Sequence, residues 1–570
     1  MNFRYRQFVS GLATGLALVV LFSFGNSWEI SKNLEIFSVL MREIDVYYVD
    51  EISPGELTKT AMDALLEKLD PYTVYIPESE VETHRMSMTG RYGGVGAVVR
   101  KRGNFVTIIE PYEDSPAAKA GLWPGDKIIS VEGKAVGGKN TDDVVRLMKG
   151  QPGTPVQLVI ERSGKPMTVN IIREEIKSKN VPYFGVVDGN LGYIKLMGFT
   201  ENAGKEVRDA LNTLKNEHSI QGVILDLRGN PGGLLREAIN VVNVFVDRGQ
   251  IVVTTRGKVS QFNQTFRTTQ PAADTTIKLA VLVNRRSASA AEIVSGSIQD
   301  LDRGIVLGQR TFGKGLVQTT RPLLYNSQLK ITTSKYYIPS GRCVQALDYK
   351  MKRENGTLGM IPDSMRKAFK TRIGRTVFDG LGVYPDVHIR LKPSSNILRA
   401  LVINDLLFDY ANLYRSKFSE IPSAEAFKMN QDIYDGLIEF LKDKEYDYTT
   451  ESEKMLERFR EIATREQYFE QIKGEFNALD SRKKLIKKQD VHTFRSEIER
   501  YLRLEIVSRY YFRKGRIASE IQDDPEMTEA IKLLRDSEHY AKVLSPDFVI
   551  AMEDKSLDNE EEEESPLDED

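Results

Sequence analysis

The chain has 570 residues, 41% of them hydrophobic and 28% charged, with a net charge of −2. At roughly 150 residues per domain that is three or four domains, and the balance excludes a mainly disordered chain, a collagen and a many-span membrane protein. One cysteine excludes a disulfide scaffold and a Cys-rich metal site. The five histidines are dispersed and form no HExxH, so no metal site is read, and no cofactor is expected. Residues 553–570 hold eleven acidic residues and one lysine. The mildly basic remainder is too weakly charged for a nucleic-acid partner.

Arg4 and Arg6 precede an apolar run over 9–24. A basic stretch before an apolar one is the pattern of an export signal. The run is slightly short for an unaided span of roughly 20 residues. Phe22, Phe24 and Trp28 crowd the position of a small-residue cleavage site. The favoured reading over 1–27 is an uncleaved anchor; a cleaved signal peptide is the alternative.

Residues 28–88 read as a helical region, with Phe37, Leu40, Met41 and Ile44 at helical spacing. Ser53-Pro54-Gly55-Glu56 is a helix start, with Pro at the first helical position. Leu57, Ala61, Ala64 and Leu65 are its expected buried stripe, and Leu69-Asp70-Pro71 is its stop. Residues 89–176 change character: short β-rich runs at 96–99, 105–109, 127–131, 156–160 and 168–172 alternate with Gly and Pro turns. Two short helices fit at 115–120 and 141–149. This is a small β-barrel domain.

Residues 177–390 alternate strands and helices, an α/β core. Residues 223–227 and 279–283 are apolar runs that read as buried strands. Helices are expected over 234–246 and 290–301, and further strands over 304–307 and 329–338. Residues 348–378 are basic, poorly periodic and read as an insertion. Residues 391–550 read as a helical domain, with one stripe at Ile397, Leu401, Leu406 and Tyr410 and another at Ile433, Leu437, Phe440 and Leu441. Thr450-Glu451-Ser452-Glu453 is a capping box. Residues 551–570 are an acidic, disordered tail.

Three segments offer chemistry. In Ser287-Ala288-Ser289-Ala290-Ala291-Glu292 a buried strand gives way to a helix. Ser289 with Glu292 is a capping-box pattern, so Ser289 reads as an N-cap. The same turn suits a nucleophile, because a hydroxyl there stands beside free helix N–H groups. Lys314, in Thr311-Phe312-Gly313-Lys314-Gly315, is the candidate base. At a reference pKa of about 10.4 lysine is protonated; burial against Phe312 and Leu316 would lower that value. An exposed turn lysine is the alternative. Gly308-x-x-x-x-Gly313-Lys314 matches most of a P-loop, but Gly315 replaces the hydroxyl that would bind Mg²⁺. Gly232 and Gly233 follow a buried strand, where a backbone N–H can approach a substrate oxygen.

Read together, these segments resemble the C-terminal processing (tail-specific) serine peptidases. The likeness is carried by Leu69-Asp70-Pro71-Tyr72-Thr73, by Tyr92-Gly93-Gly94-Val95-Gly96 with Ser115-Pro116-Ala117-Ala118, and by Asp226-Leu227-Arg228-Gly229-Asn230-Pro231-Gly232-Gly233. Ser287–Ile293, Phe312–Gln318, Pro339-Ser340-Gly341-Arg342 and Gly382-Val383-Tyr384-Pro385-Asp386 complete it. It spans roughly residues 34–390. The resemblance, which does not cover the C-terminal helical region or the tail, implies a crotonase-like peptidase core and a PDZ β-barrel domain; with the helical regions read from periodicity at both ends, the expected fold class is multidomain α/β. Ser289 would be the nucleophile, Lys314 the base and Gln318 the residue orienting it. Ser287 is the rival nucleophile. The oxyanion hole would be Ala290 with Gly232 or Gly233. Gly94, Val95, Gly96 and Ala97 would bind the carboxyl end of a protein substrate with an apolar C-terminus. Outside the resemblance, the amphipathic C-terminal helices are read as serving an adaptor, a homo-oligomer or the support of the core. With the N-terminal run, the implied location is the cell envelope, anchored in the inner membrane with the catalytic part on the periplasmic side. A non-proteolytic PDZ scaffold retaining the fold is the rival reading.

Overall fold

The computed structural model describes residues 28–352, 358–361 and 363–550. The described residues divide into two compact units, one built from 28–81 with 318–332 and the other from the remainder.

In the first unit, helix α1 covers 28–47 and α2 covers Pro54–Glu67, with Pro54 at its first turn. The stripe expected on α2 is not buried: no residue of the helix is. After α2, Asp70 folds back on the chain, its Oδ1 accepting from Tyr72 N at 2.9 Å and Thr73 N at 2.8 Å. That Asx turn delivers strand β1 (Val74–Ile76), which pairs antiparallel with Gln328–Lys330.

The anchor expectation is corrected. Among the described residues no helix is long and apolar enough to cross a membrane, so an inner-membrane anchor is not supported. The run over 9–24 lies outside the described residues, as does the acidic tail.

The second unit begins with the small β domain. Strands β2 (Ala97–Arg102), β3 (Phe105–Pro111), β4 (Lys127–Val131), β5 (Pro155–Arg162) and β6 (Lys165–Ile172) form one sheet in that order, all antiparallel. Val156, Leu158 and Ile160 alternate inward along β5, as a half-buried strand requires. They pack with Val144 and Met148 of helix α3 (Thr141–Met148). Strand β2 lies at the sheet's edge.

The core is a six-stranded sheet. Its order is β7 (Tyr183–Val187), β8 (Leu191–Lys195), β9 (Gly222–Asp226), β12 (Lys278–Val283), β13 (Ile305–Gly308) and β16 (Val387–His388). All neighbours are parallel except β7 with β8. Strands β10 (Ile251–Gly257) and β11 (Gln264–Arg267) form a separate ribbon, which pairs with the end of a long strand at Ser334–Tyr337. That long strand, β15 (Gln328–Tyr337), follows β14 (Leu316–Pro322).

Each buried strand shows alternate residues to two layers. Val223, Leu225, Leu279, Val281 and Val283 face helices α4 (Ala203–His218), α5 (Leu235–Phe245) and α6 (Ala290–Asp300). Ile224, Ala280, Leu282, Ile305 and Leu307 face Ile517, Met527, Ala530, Leu533 and Leu534 of the C-terminal helices. A sheet covered on both faces explains why 223–227 and 279–283 read as unbroken apolar runs.

The insertion is not peripheral. Arg375 is fully buried, with Nε on Asp302 at 2.7 Å and Nη1 on Asp386 at 2.6 Å. It ties the hairpin of Ala368–Lys370 and Thr376–Phe378 to the end of α6. The C-terminal region opens with two helices where one stripe suggested continuity: α7 (Asn396–Ile403) and α8 (Leu406–Lys417) are separated at Asp405, which has φ 57°. The second stripe lies on α9 (Gln431–Leu441), and the capping box opens α10 (Glu451–Arg465) as expected. Helices α11 (Phe469–Thr493) and α12 (Arg495–Glu520) follow, then α13 (Pro525–Arg535) and α14 (Ser537–Val543).

Candidate active site

Three loops at the carboxyl ends of β9, β12 and β13 meet in the second unit. This is where an open α/β sheet places its chemistry. The loop after β12 carries Ser287 and Ser289. Ser287 is buried, and its hydroxyl donates to Leu227 O at 2.8 Å while accepting from Asn284 N at 3.0 Å. That hydroxyl pins one loop to the next. Ser289 differs. It sits at φ 54° and ψ −110°, outside the regions open to most side chains. Only the glutamate half of the capping box is made: the serine side chain accepts no cap hydrogen bond, and Glu292 N donates instead to Ser289 O at 2.9 Å. The glutamate half is tight: Glu292 Oε2 accepts from Ser289 N at 2.8 Å. A strained serine at a strand-to-helix turn, with its main chain fixed, fits a nucleophile as well as a cap.

Glu292 does more than cap. It is fully buried, and its Oε1 accepts from Thr311 Oγ1 at 2.6 Å and Gly313 N at 2.7 Å. Its Oε2 also accepts from Lys314 N at 2.8 Å. One carboxylate therefore holds the main chains of Ser289 and Lys314 together. Burial pushes its pKa up to about 6, against the pull of the donors aimed at it. Tyr336 repeats the tie from the other side, its hydroxyl 2.7 Å from Lys314 O and 3.1 Å from Ser289 O. Gly315 N donates to Gln345 Oε1 at 2.8 Å and so fixes the residue after the lysine.

The Lys314 side chain is half-buried. Of the two apolar neighbours expected to desolvate it, Leu316 is buried but Phe312 is 45% exposed. The flanking glycines pack closely instead: a Cβ at Gly313 would meet Ala346 and one at Gly315 would meet Gln345. Gln318 belongs to the first unit, where its amide donates to Thr332 Oγ1 at 3.1 Å.

The loop after β9 faces Ser289. A Cβ added to Gly232 would lie 2.9 Å from Ser289 Cβ and 2.9 Å from Ala290 N, so only glycine fits. The Gly232 N–H is already given to Asn230 Oδ1 at 2.9 Å. Gly233 differs from it. Phe199 N donates to Gly232 O at 3.1 Å and Leu234 N to Phe199 O at 2.7 Å. In such a parallel bridge the middle residue's N–H points away from the partner strand. The Gly233 N–H therefore faces away from Phe199. Asn230 staples the loop, its Nδ2 donating to Leu196 O at 2.8 Å and its carbonyl accepting from Ala288 N at 3.0 Å.

In the β domain, the carbonyls of Val95 and Gly96 accept from Ala117 N and Tyr112 N. Gly96 adopts φ 77° against Ser115, a position where a Cβ would clash. The loop Gly94–Ala97 thus leads directly into edge strand β2.

Three residues central to this geometry carry no role in the sequence reading: Glu292, Tyr336 and Asn230. Glu292 was visible only as the partner in a capping box. Tyr336 is one aromatic in a strand and gave no signal. Asn230 lay inside a turn of glycines and proline.

Known families match this layout. The model for peptidase family S41 matches residues 190–351, that for a PDZ domain 107–162, and that for the C-terminal helical domain of probable PDZ-proteases 397–534. The chain is 36% identical over 350 residues to the carboxy-terminal-processing protease of Bartonella bacilliformis, covering 60% of this chain and 80% of that one. It is 34% identical over 342 residues to a probable CtpA-like serine protease of Staphylococcus aureus strain COL, covering 58% and 68%. Among solved structures, the photosystem II D1 C-terminal processing protease is 27% identical, with a TM-score of 0.34, over 62% of this chain and 92% of that one. The protein is a serine-type peptidase that carries a PDZ domain. It belongs to the carboxy-terminal-processing proteases of peptidase family S41.

Proposed function

We propose that Ser289 and Lys314 form a catalytic dyad that hydrolyses peptide bonds through an acyl-enzyme. The observation that carries this reading is the double tie of the two residues' main chains, by the Glu292 carboxylate and the Tyr336 hydroxyl. In the reaction, neutral Lys314 takes the Ser289 proton as the hydroxyl oxygen attacks the scissile carbonyl. The resulting oxyanion is received by the N–H groups of Ala290 and Gly233, of which the latter is preferred because Gly232 N–H is already bonded to Asn230. The lysine then gives the proton to the leaving amine. Water hydrolyses the ester by the same route and restores both side chains. Gln318 is assigned the orientation of Lys314 by family resemblance alone.

The PDZ domain takes the apolar C-terminus of a protein substrate as an added strand on the edge of β2, with the carboxylate at Gly94–Ala97. Edge position and the loop leading into it support this assignment.

The test uses the purified full chain and an unfolded protein ending in apolar residues, with cleavage followed by mass spectrometry. Wild type and Ser287→Ala are expected to cut; Ser289→Ala and Lys314→Ala are not. Cleavage that survives Ser289→Ala would overturn the dyad.

A further inference from the structure

The peptidase core and the C-terminal helices share a buried charge cluster behind the oxyanion loop. Arg228, two residues past β9, stands at the root of that loop. Its guanidinium meets Asp226 through Nη2 at 2.7 Å, and through Nη1 meets Asp524 Oδ2 at 2.6 Å and Glu526 Oε2 at 2.5 Å. Asp226 is fully buried and accepts from Tyr193 Oη at 2.7 Å. Lys195 reaches both Asp226 at 3.2 Å and the Arg228 carbonyl at 2.9 Å. Asp524 is also the N-cap of α13, its Oδ1 accepting from Glu526 N at 2.8 Å. The helix start and the arginine are therefore fixed by the same side chain.

This arrangement is more than adhesion between layers. A guanidinium is planar and directional, so three carboxylates around it fix the position of its main chain as well as its charge. One residue on, Gly229 N donates to Asn284 Oδ1 at 3.0 Å. Asn230 and Gly232 follow, held by the bonds described above. The loop has no regular secondary structure of its own. Its root is set by Arg228, and two of the three carboxylates on Arg228 come from almost 300 residues further along the chain.

We propose that Asp524 and Glu526 are positioning residues for the oxyanion loop, holding residues 229–233 in register with Ser289 through Arg228. This rests on the reading of that loop given above. It assigns the C-terminal helical domain a part in the chemistry without placing any of its residues near the substrate.

The test compares the full chain carrying Asp524→Asn and Glu526→Gln with wild type. A Lys278→Met control breaks another tie to the same helices, the bonds to Leu534 O and Ser537 Oγ, away from the loop. Hydrogen exchange is read at the amides of Gly229, Asn230 and Gly232, and kcat and KM are measured on the unfolded substrate. The double variant is expected to exchange at least tenfold faster at those amides and to lose at least tenfold in kcat, with KM within twofold. The control should show neither change. If the double variant does not fold, Glu526→Gln alone carries the same readouts. Unchanged exchange at the three amides would overturn the proposal, and so would faster exchange with kcat intact. Loop and sheet loosening together in the control as in the variant would reduce the cluster to ordinary packing and overturn it too. Absence of cleavage by wild type would sink the proposed function instead; the exchange comparison would still decide whether the two carboxylates hold the loop.

Discussion

Glu292 makes the sharpest prediction, because burial and hydrogen bonding act on it in opposite directions. Four donors favour its ionised form, yet burial wins and its pKa rises from 4.5 to about 6. A folded value above the unfolded one has a definite sign. The group's contribution to stability is complete below pH 4.5 and is lost as pH rises through about 6. Moving a carboxyl from 4.5 to about 6 is worth on the order of 2 kcal/mol in all, of which about 1 kcal/mol falls between pH 5 and pH 8. Glu292→Gln cannot ionise, so it removes that dependence. The variant should therefore be more destabilised relative to wild type at pH 5 than at pH 8, by on the order of 1 kcal/mol. Pulse proteolysis in urea at both pH values, following a peptide from residues 278–300, measures the difference while the other titrating groups cancel. A gap between the two proteins that is the same at both pH values, or larger at pH 8, would refute the balance of burial over hydrogen bonding.

Other parts of the site give separate expectations. Tyr336→Phe removes the hydroxyl shared by Lys314 O and Ser289 O. A lost hydrogen bond of about 1 kcal/mol or slightly more should lower kcat about tenfold with little change in KM, read by steady-state cleavage. Gly232→Ala forces a Cβ to 2.7 Å from Ala288 O at φ +100°. It should lower kcat more than about 100-fold while destabilising the fold by about 1–3 kcal/mol; cleavage and urea unfolding measured together separate the two. Arg375→Met strands Asp302 and Asp386, both at most 4% exposed. Losing one partner of a buried ion pair costs about 3–5 kcal/mol, and urea unfolding at neutral pH should show it.

Much of the architecture was legible because local rules and tertiary packing agree. Turn chemistry and alternation marked the PDZ strands, and the apolar runs over 223–227 and 279–283 marked the buried sheet. The departures have physical causes. The stripe on α2 has helical spacing, but spacing says which residues share a face and not whether anything covers it. The stripe across α7 and α8 is continuous in pattern, yet Asp405 takes a left-handed conformation that ends one helix and starts the next. Arg375 lay in a segment whose basic, irregular composition resembles surface; only the structure shows Asp302 and Asp386 waiting for it. At the site, the local setting of Ser289 and Lys314 singled them out as candidates, and the family resemblance supplied their proposed roles. Glu292 and Tyr336 were not, because what they do depends on loops 19 to 47 residues away.

The same distinction applies to the C-terminal helices. Their composition pointed to a separate helical domain, and one end of it is indeed built on its own core. The other end is the missing layer of the peptidase. Ile517, Met527, Leu533, Leu534 and Val543 pack on the sheet face that α4, α5 and α6 leave open. At about 1.5–3 kcal/mol for each large side chain buried, five of them contribute on the order of 10 kcal/mol, which is comparable to the whole net stability of a domain. A chain ending after residue 390 would expose Ile224, Leu282 and Leu307 to water and leave Arg228 with Asp226 alone. Such a chain should fail to fold its core, so the catalytic unit extends through the helix that carries Asp524 and Glu526.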